Sequence, residues 1–272
     1  ETDLEKSGNF TLLDIAAALD WVQANIEVFG GDKNNVTLAG FSAGGRDVMA
    51  TLISPLFEGK YHKAISFSGG MTLADKAESQ DIFATALAPL VVEDGVKADE
   101  AAAKEWLLTS GQDVQDYLHG LSADRLAPLM GNAAIRMSVF PHLYKDGVVI
   151  PEEGFESKTY NDVPLLLVTG TSEFSLFTAF DKRFAASVSD GSLFKDENLL
   201  KEFTYAETYG SQLYRLSNTV ESARIMTEHY SSPIYISQIS FGDDGTSAPT
   251  VAGLLGAFHG IFEPLLQTPS NY

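Results

Sequence analysis

"VTLAGFSAGG", residues 36–45, opens as a β-branched, apolar run and ends in small residues around one serine. The run predicts a short buried strand over 36–39. A helix is expected from about Gly45 to Leu52, ending before Pro55 because the residue ahead of a proline is pushed out of the helical region. A G-x-S-x-G segment between strand and helix has the pattern of a nucleophile elbow. Such a turn strains the serine backbone, exposes Ser42 at the carboxyl end of the strand and sets it beside a helix N-terminus, whose dipole favours an oxyanion. Gly40 and Gly44 are expected to be needed because a Cβ at either would strike a neighbouring strand or helix. The competing reading is a glycine-rich turn without chemistry. Position between a predicted strand and a predicted helix favours the reactive one.

Working outward, residues 9–29 place Leu12, Ile15, Leu19, Val22 and Ile26 at three- and four-residue spacing, one apolar face of a helix. Gly30 and Gly31 supply its left-handed stop. "AISFSG" (64–69) and "VPLLLVTG" (163–170) read as buried strands, and "PIYISQIS" (233–240) as a strand of alternating character. Residues 75–130, rich in Ala, Leu, Glu and Lys, read as short helices, among them 98–109 and 123–130. Further helices are expected at 197–208 and 219–230. Apolar strands alternating with helices imply a mostly parallel sheet covered on both faces, an α/β fold. The chain is expected to form a single domain over 1–272, with a helical insertion at about 75–135.

A serine nucleophile needs a base, and the base needs a carboxylate to fix its tautomer. Of five histidines, His62 lies in a polar turn, His119 and His229 on helical surfaces, and His142 in "FPHLYKDG", a loop. His259, in "GAFHGIFEP", stands between Gly256 and Gly260 in a loop late enough to meet the end of the first strand. Glu173, in "LLVTGTSEFSLF", falls just past the carboxyl end of the third strand, where sites in open parallel sheets gather. It reads equally well as a first-turn helix carboxylate.

The 272 residues carry a net charge of -19, which disfavours nucleic acids and anionic membranes as partners. No stretch approaches the roughly 18 unbroken apolar residues of a membrane span. No cysteine occurs, so nothing depends on an oxidising compartment, and a cytoplasmic location is favoured. No cofactor is expected. Asp243-Asp244-Gly245 and the "DGV" starting at Asp146 lack a surrounding ligand set and read as turn chemistry, so no metal is expected either.

These stretches, in the order Ser, acid, His, resemble the type-B carboxylesterase family, which includes cholinesterases and para-nitrobenzyl esterases. "GNFTLLDIAAALDWVQANIEVFGGDKNNVTLAGFSAGG" is similar to that family's signature segment, and "SPLFEGKYHKAISFSGG" to the segment that follows it. "DGVVIPEEGFESKTYNDVPLLLVTGTSEFSLF" resembles the acid-bearing region and "GAFHGIFEPLL" the histidine loop. The likeness runs from about residue 7 to 266 and is weakest between 75 and 135. It implies the α/β-hydrolase fold, a carboxylic ester hydrolase working through an acyl-enzyme, and roles for Ser42 as nucleophile, His259 as general base and Glu173 as acid. It also implies an oxyanion-binding N–H at Ala43. Phe41, Phe174, Phe177 and Phe258 adjoin these residues and read either as an apolar acyl pocket or as core aromatics. The alternative function is a non-catalytic binding protein of the same fold, like the family's adhesion members, which typically lack the serine.

Three departures matter. Phe41 stands where the family usually has glutamate. The acid loop "GTSEF" is about two residues shorter than usual. No HGG segment, the family's main source of oxyanion donors, precedes Ser42. The chain is therefore expected to be an internal piece of a protein about twice as long, with N-terminal strands supplied by a segment that accompanies it. A small-molecule ester is the expected partner.

Overall fold

The computed structural model describes residues 2–130, 143–242 and 249–266. His142 and the Asp243-Asp244-Gly245 turn lie outside them. The chain divides into two compact units, one of residues 1–10 with 72–154, the other of 11–71 with 155–272.

The second unit is built on a four-stranded sheet. The strands are β1 (Thr37–Phe41), β2 (Lys63–Phe67), β5 (Leu165–Gly170) and β6 (Ile234–Ile239). All pair in parallel in the order β1-β2-β5-β6, with Phe41 opposite Phe67 and Phe67 opposite Val168. Central β5 is buried at five of its six positions, as a strand covered on both faces must be. The outer strands depart from expectation. β1 exposes Thr37 and Ala39 rather than being buried, and β6 does not alternate: Tyr235 and Ile236, adjacent residues, are both more than half exposed. Each has one neighbouring strand among the described residues, which leaves faces uncovered that a central strand would bury.

Helix α1 (Phe10–Asn25) buries Leu12 and Leu19 of the expected face together with Ala16, while Ile15, Val22 and Ile26 are half-buried. A 3-10 turn, Ile26–Phe29, follows, and Gly30 ends it at φ 82°, its N–H donating to the Glu27 carbonyl and the Gly31 N–H to the Ile26 carbonyl. Helix α2 (Ala43–Thr51) begins two residues earlier than expected, directly after Ser42.

In the first unit, β3 (Ala74–Asp75) pairs in parallel with β4 (Tyr144–Lys145). Asn9 ties β4 from the side: its amide donates to the Tyr144 carbonyl and to Asp146, each at 2.9 Å. Asp146 also accepts from the Val148, Val149 and Ile150 N–H groups, as the expected turn chemistry requires. Helices α3 (Lys76–Glu93), α4 (Glu100–Leu108), α5 (Gln112–Gly120) and α6 (Ala123–Leu126) follow. Asp75 and Asp99 cap the first two through backbone N–H groups. Their core is small-residue packing: Ala84, Ala88 and Val91 of α3 against Ala103 and Leu107 of α4 and Val114 of α5.

After β5 the second unit continues with α7 (Ser175–Phe180), α8 (Ala185–Ser189) and α9 (Glu197–Arg215). A π-helical turn, Leu216–Val220, joins α9 to α10 (Glu221–Met226). Helix α9 runs seven residues beyond its expected end at 208. Past β6 come α11 (Pro249–Leu255) and α12 (Glu263–Leu266).

Candidate active site

Parallel strands bring their carboxyl ends to one side, and there the site is assembled. Ser42 follows β1, Ser68 follows β2 and Glu173 lies three residues past β5. Ser42 is held at φ 55°, ψ -112°, a conformation that L-residues rarely adopt. Its N–H donates to the Phe67 carbonyl at 2.9 Å, continuing the ladder one residue past the strand. The glycines around it divide differently from expectation. A Cβ on Gly40 would lie 2.2 Å from the Gly44 carbonyl oxygen, so Gly40 is required by the helix that follows. A Cβ on Gly44 would have nothing within 4 Å; the close approach falls instead at Gly45, where a Cβ would meet the Phe67 carbonyl at 2.8 Å and the Gly69 Cα at 2.9 Å. The helix therefore crosses the end of β2 at its third residue rather than its second.

Ser42, His259 and Glu173 form one hydrogen-bonded chain. His259 Nε2 lies 2.9 Å from Ser42 Oγ, and Nδ1 lies 2.6 Å from Glu173 Oε2. Glu173 is fully buried. Its Oε1 accepts from the Gly170 N–H at 2.6 Å, the Ser68 hydroxyl at 2.5 Å and the Thr169 hydroxyl at 3.0 Å. Burial alone would push this carboxyl up. The hydrogen bonds from His259, Ser68 and the Gly170 N–H outweigh it and hold the group below its usual 4.5. An ionised Glu173 can only accept, so Nδ1 carries the proton and Nε2 is left to accept from the Ser42 hydroxyl. Two further ties fix the histidine loop: Ser172 N–H donates to the Ala257 carbonyl and the Ser175 hydroxyl to the Leu255 carbonyl.

Aromatic rings surround the imidazole. Phe41 lies 4.6 Å from it between centroids, Phe177 5.2 Å and Tyr214 5.7 Å. Phe174 packs on Phe177 at 5.3 Å, whereas Phe258 is partly buried and stacks on none of these rings. Ala43, the first residue of α2, has an N–H with no acceptor inside the helix, as any N1 residue does. Of the other histidines, His62 Nδ1 accepts from the Val36 N–H, and His119 and His229 are exposed, His229 in a turn past α10. Sequence reasoning passed over Ser68, Thr169 and Tyr214. For Ser68 a signal existed: "SFSGG" at a strand end repeats the serine-before-glycine character of the elbow, and Ser68 shares the left-handed backbone of Ser42 at φ 49°.

Residues 1–254 match the model of the carboxylesterase family. The chain is 32% identical over 173 residues to para-nitrobenzyl esterase of Bacillus subtilis (strain 168), an overlap of 63% of this chain and 33% of that protein. It is 34% identical over 176 residues to carboxylesterase 1E of Rattus norvegicus, covering 63% of this chain and 31% of that one. Among solved structures, a PNB esterase superposes with a TM-score of 0.63 at 24% identity, over 94% of this chain and 53% of its own. The chain thus spans about a third of these curated relatives and about half of that structure. The superposition establishes the α/β-hydrolase fold, and the family match, running through the Ser42 elbow and the Glu173 loop, makes this chain a member of the carboxylesterase family.

Proposed function

We propose that the protein hydrolyses small carboxylic esters through an acyl-enzyme, with Ser42 as nucleophile, His259 as general base and Glu173 as the carboxylate partner. The observation that carries this reading is the single chain of contacts from Ser42 Oγ through His259 to Glu173, at 2.9 and 2.6 Å. Ser42 Oγ attacks the ester carbonyl and passes its proton to Nε2. Glu173 stabilises the imidazolium, which then protonates the departing alcohol. Water, activated by the same imidazole, cleaves the acyl-enzyme and restores Ser42. The Ala43 N–H is assigned to the oxyanion, and Phe41, Phe174 and Phe177 to an apolar wall around the acyl group. In this proposal a segment outside residues 1–272 supplies the other oxyanion donors. Each such donor is worth about 10²–10³ in rate, so chain and segment together turn over far faster than the chain alone.

A fluorophosphonate probe tests the reading, because it reacts with an activated serine whatever the ester. Labelling of the purified protein, mapped to Ser42 and lost in Ser42→Ala, is the expected result. No labelling would overturn it in favour of a non-catalytic binding protein.

A further inference from the structure

The carboxylate that orients His259 is itself held from behind. Ser68 Oγ donates to Glu173 Oε1 at 2.5 Å, and the Tyr214 hydroxyl donates to the Ser68 carbonyl at 2.7 Å. Both groups therefore bear on one residue with a left-handed backbone, Ser68 at φ 49°. A residue in that conformation keeps it only when its surroundings hold it there. Asn218, four residues on from Tyr214 and on the same helical side, sits so close to Gly70 that a Cβ there would lie 2.3 Å from its Oδ1. Asn218 belongs to the π-helical turn Leu216–Val220, and such widened turns occur often beside functional sites.

We propose that Tyr214 is a positioning residue for the reaction: its hydroxyl fixes the Ser68 carbonyl, and through the Ser68 hydroxyl it fixes the Glu173 carboxylate that aligns His259. The inference rests on the esterase reading above. Tyr214 is suited to the task because burial, and then the Glu173 charge, push its phenol above the ordinary range, while the Arg46 guanidinium beside it acts the other way. The phenol stays protonated and keeps donating. Its ring lies edge-on to the imidazole at 5.7 Å, so Tyr214→Phe removes the hydroxyl and leaves that contact in place.

The test compares Tyr214→Phe, Ser68→Ala and the double variant in the purified protein by two readouts. The first is the far-downfield proton resonance of the His259 Nδ1–H bonded to Glu173, which reports alignment without turnover. The second is kcat and KM on a chromogenic short-chain ester. Tyr214→Phe is expected to broaden the resonance and move it upfield, and to lower kcat on the order of tenfold with KM changed less than about twofold. Added to Ser68→Ala, which severs the link to Glu173, it is expected to change neither readout further. An unmoved resonance in Tyr214→Phe, or an equal further loss in the Ser68→Ala background, would overturn the proposal. Should the parent protein resist fluorophosphonate labelling at Ser42, the esterase reading falls, and the resonance still decides the role of Tyr214.

Discussion

Two buried carboxylates in one unit respond to pH with opposite signs, and the difference lies in their partners. Glu173 has four hydrogen-bond donors and is held below 4.5. Its contribution to stability is complete above the usual carboxylate range and is lost as pH falls through its lowered folded value. Asp47, on the buried side of α2, is raised to about 6, first by burial, with Arg46 only partly offsetting it. The unfolded chain releases this proton near 3.8 and the folded chain near 6, so stability falls as pH rises between those values. Above that window the penalty is constant, on the order of 3 kcal/mol. Asp47→Asn is therefore expected to raise stability above pH 6 by an amount of that order and to change little below pH 4. Urea unfolding at both pH values checks it; an equal gain at both would mean the effect is not ionisation.

At the level of elements, α9 links a surface cap to the site. Asp196 accepts from the Asn198 and Leu199 N–H groups at its start, and Tyr214 donates to Ser68 near its end. Asp196→Ala is expected to cost about 1 kcal/mol and to speed amide exchange at Asn198 and Leu199, leaving the far end protected. The same helix shows what was legible in the sequence. Its start was: the helix expected from 197 begins at Glu197. Its length was not: Gly210 weakens a helical pattern, yet it stands there because a Cβ would lie 2.5 Å from the Phe174 ring, a neighbour 36 residues away in sequence. Ser42, Glu173 and His259 were legible as candidates because each sits at a strand end or in a small-residue loop, but their roles came from the family resemblance, and Glu173 read equally well as a first-turn helix carboxylate. The contacts of Ser68 with Glu173 and of Tyr214 with Ser68 span 105 and 146 positions, and no local pattern encodes them. Exposure of β1 and β6 went unread for the same reason: an apolar run specifies a strand, while its place in the sheet is set by which strands pair with it.

For the whole molecule, a net charge of -19 on 272 residues means that folding gathers like charges together. Raising salt from about 0.01 to 0.15 M shortens the screening length from about 30 to 8 Å, and is expected to raise the melting temperature. A melting temperature indifferent to that change would show the surface charges to be compensated locally. The sheet carries a geometric consequence of its own. Among the described residues β1 and β6 border the sheet; they point the same way, and their outward backbone groups face opposite directions. A strand accepted on one side leaves the other still open, so recruitment there would run on as a linear polymer instead of closing as a twofold pair.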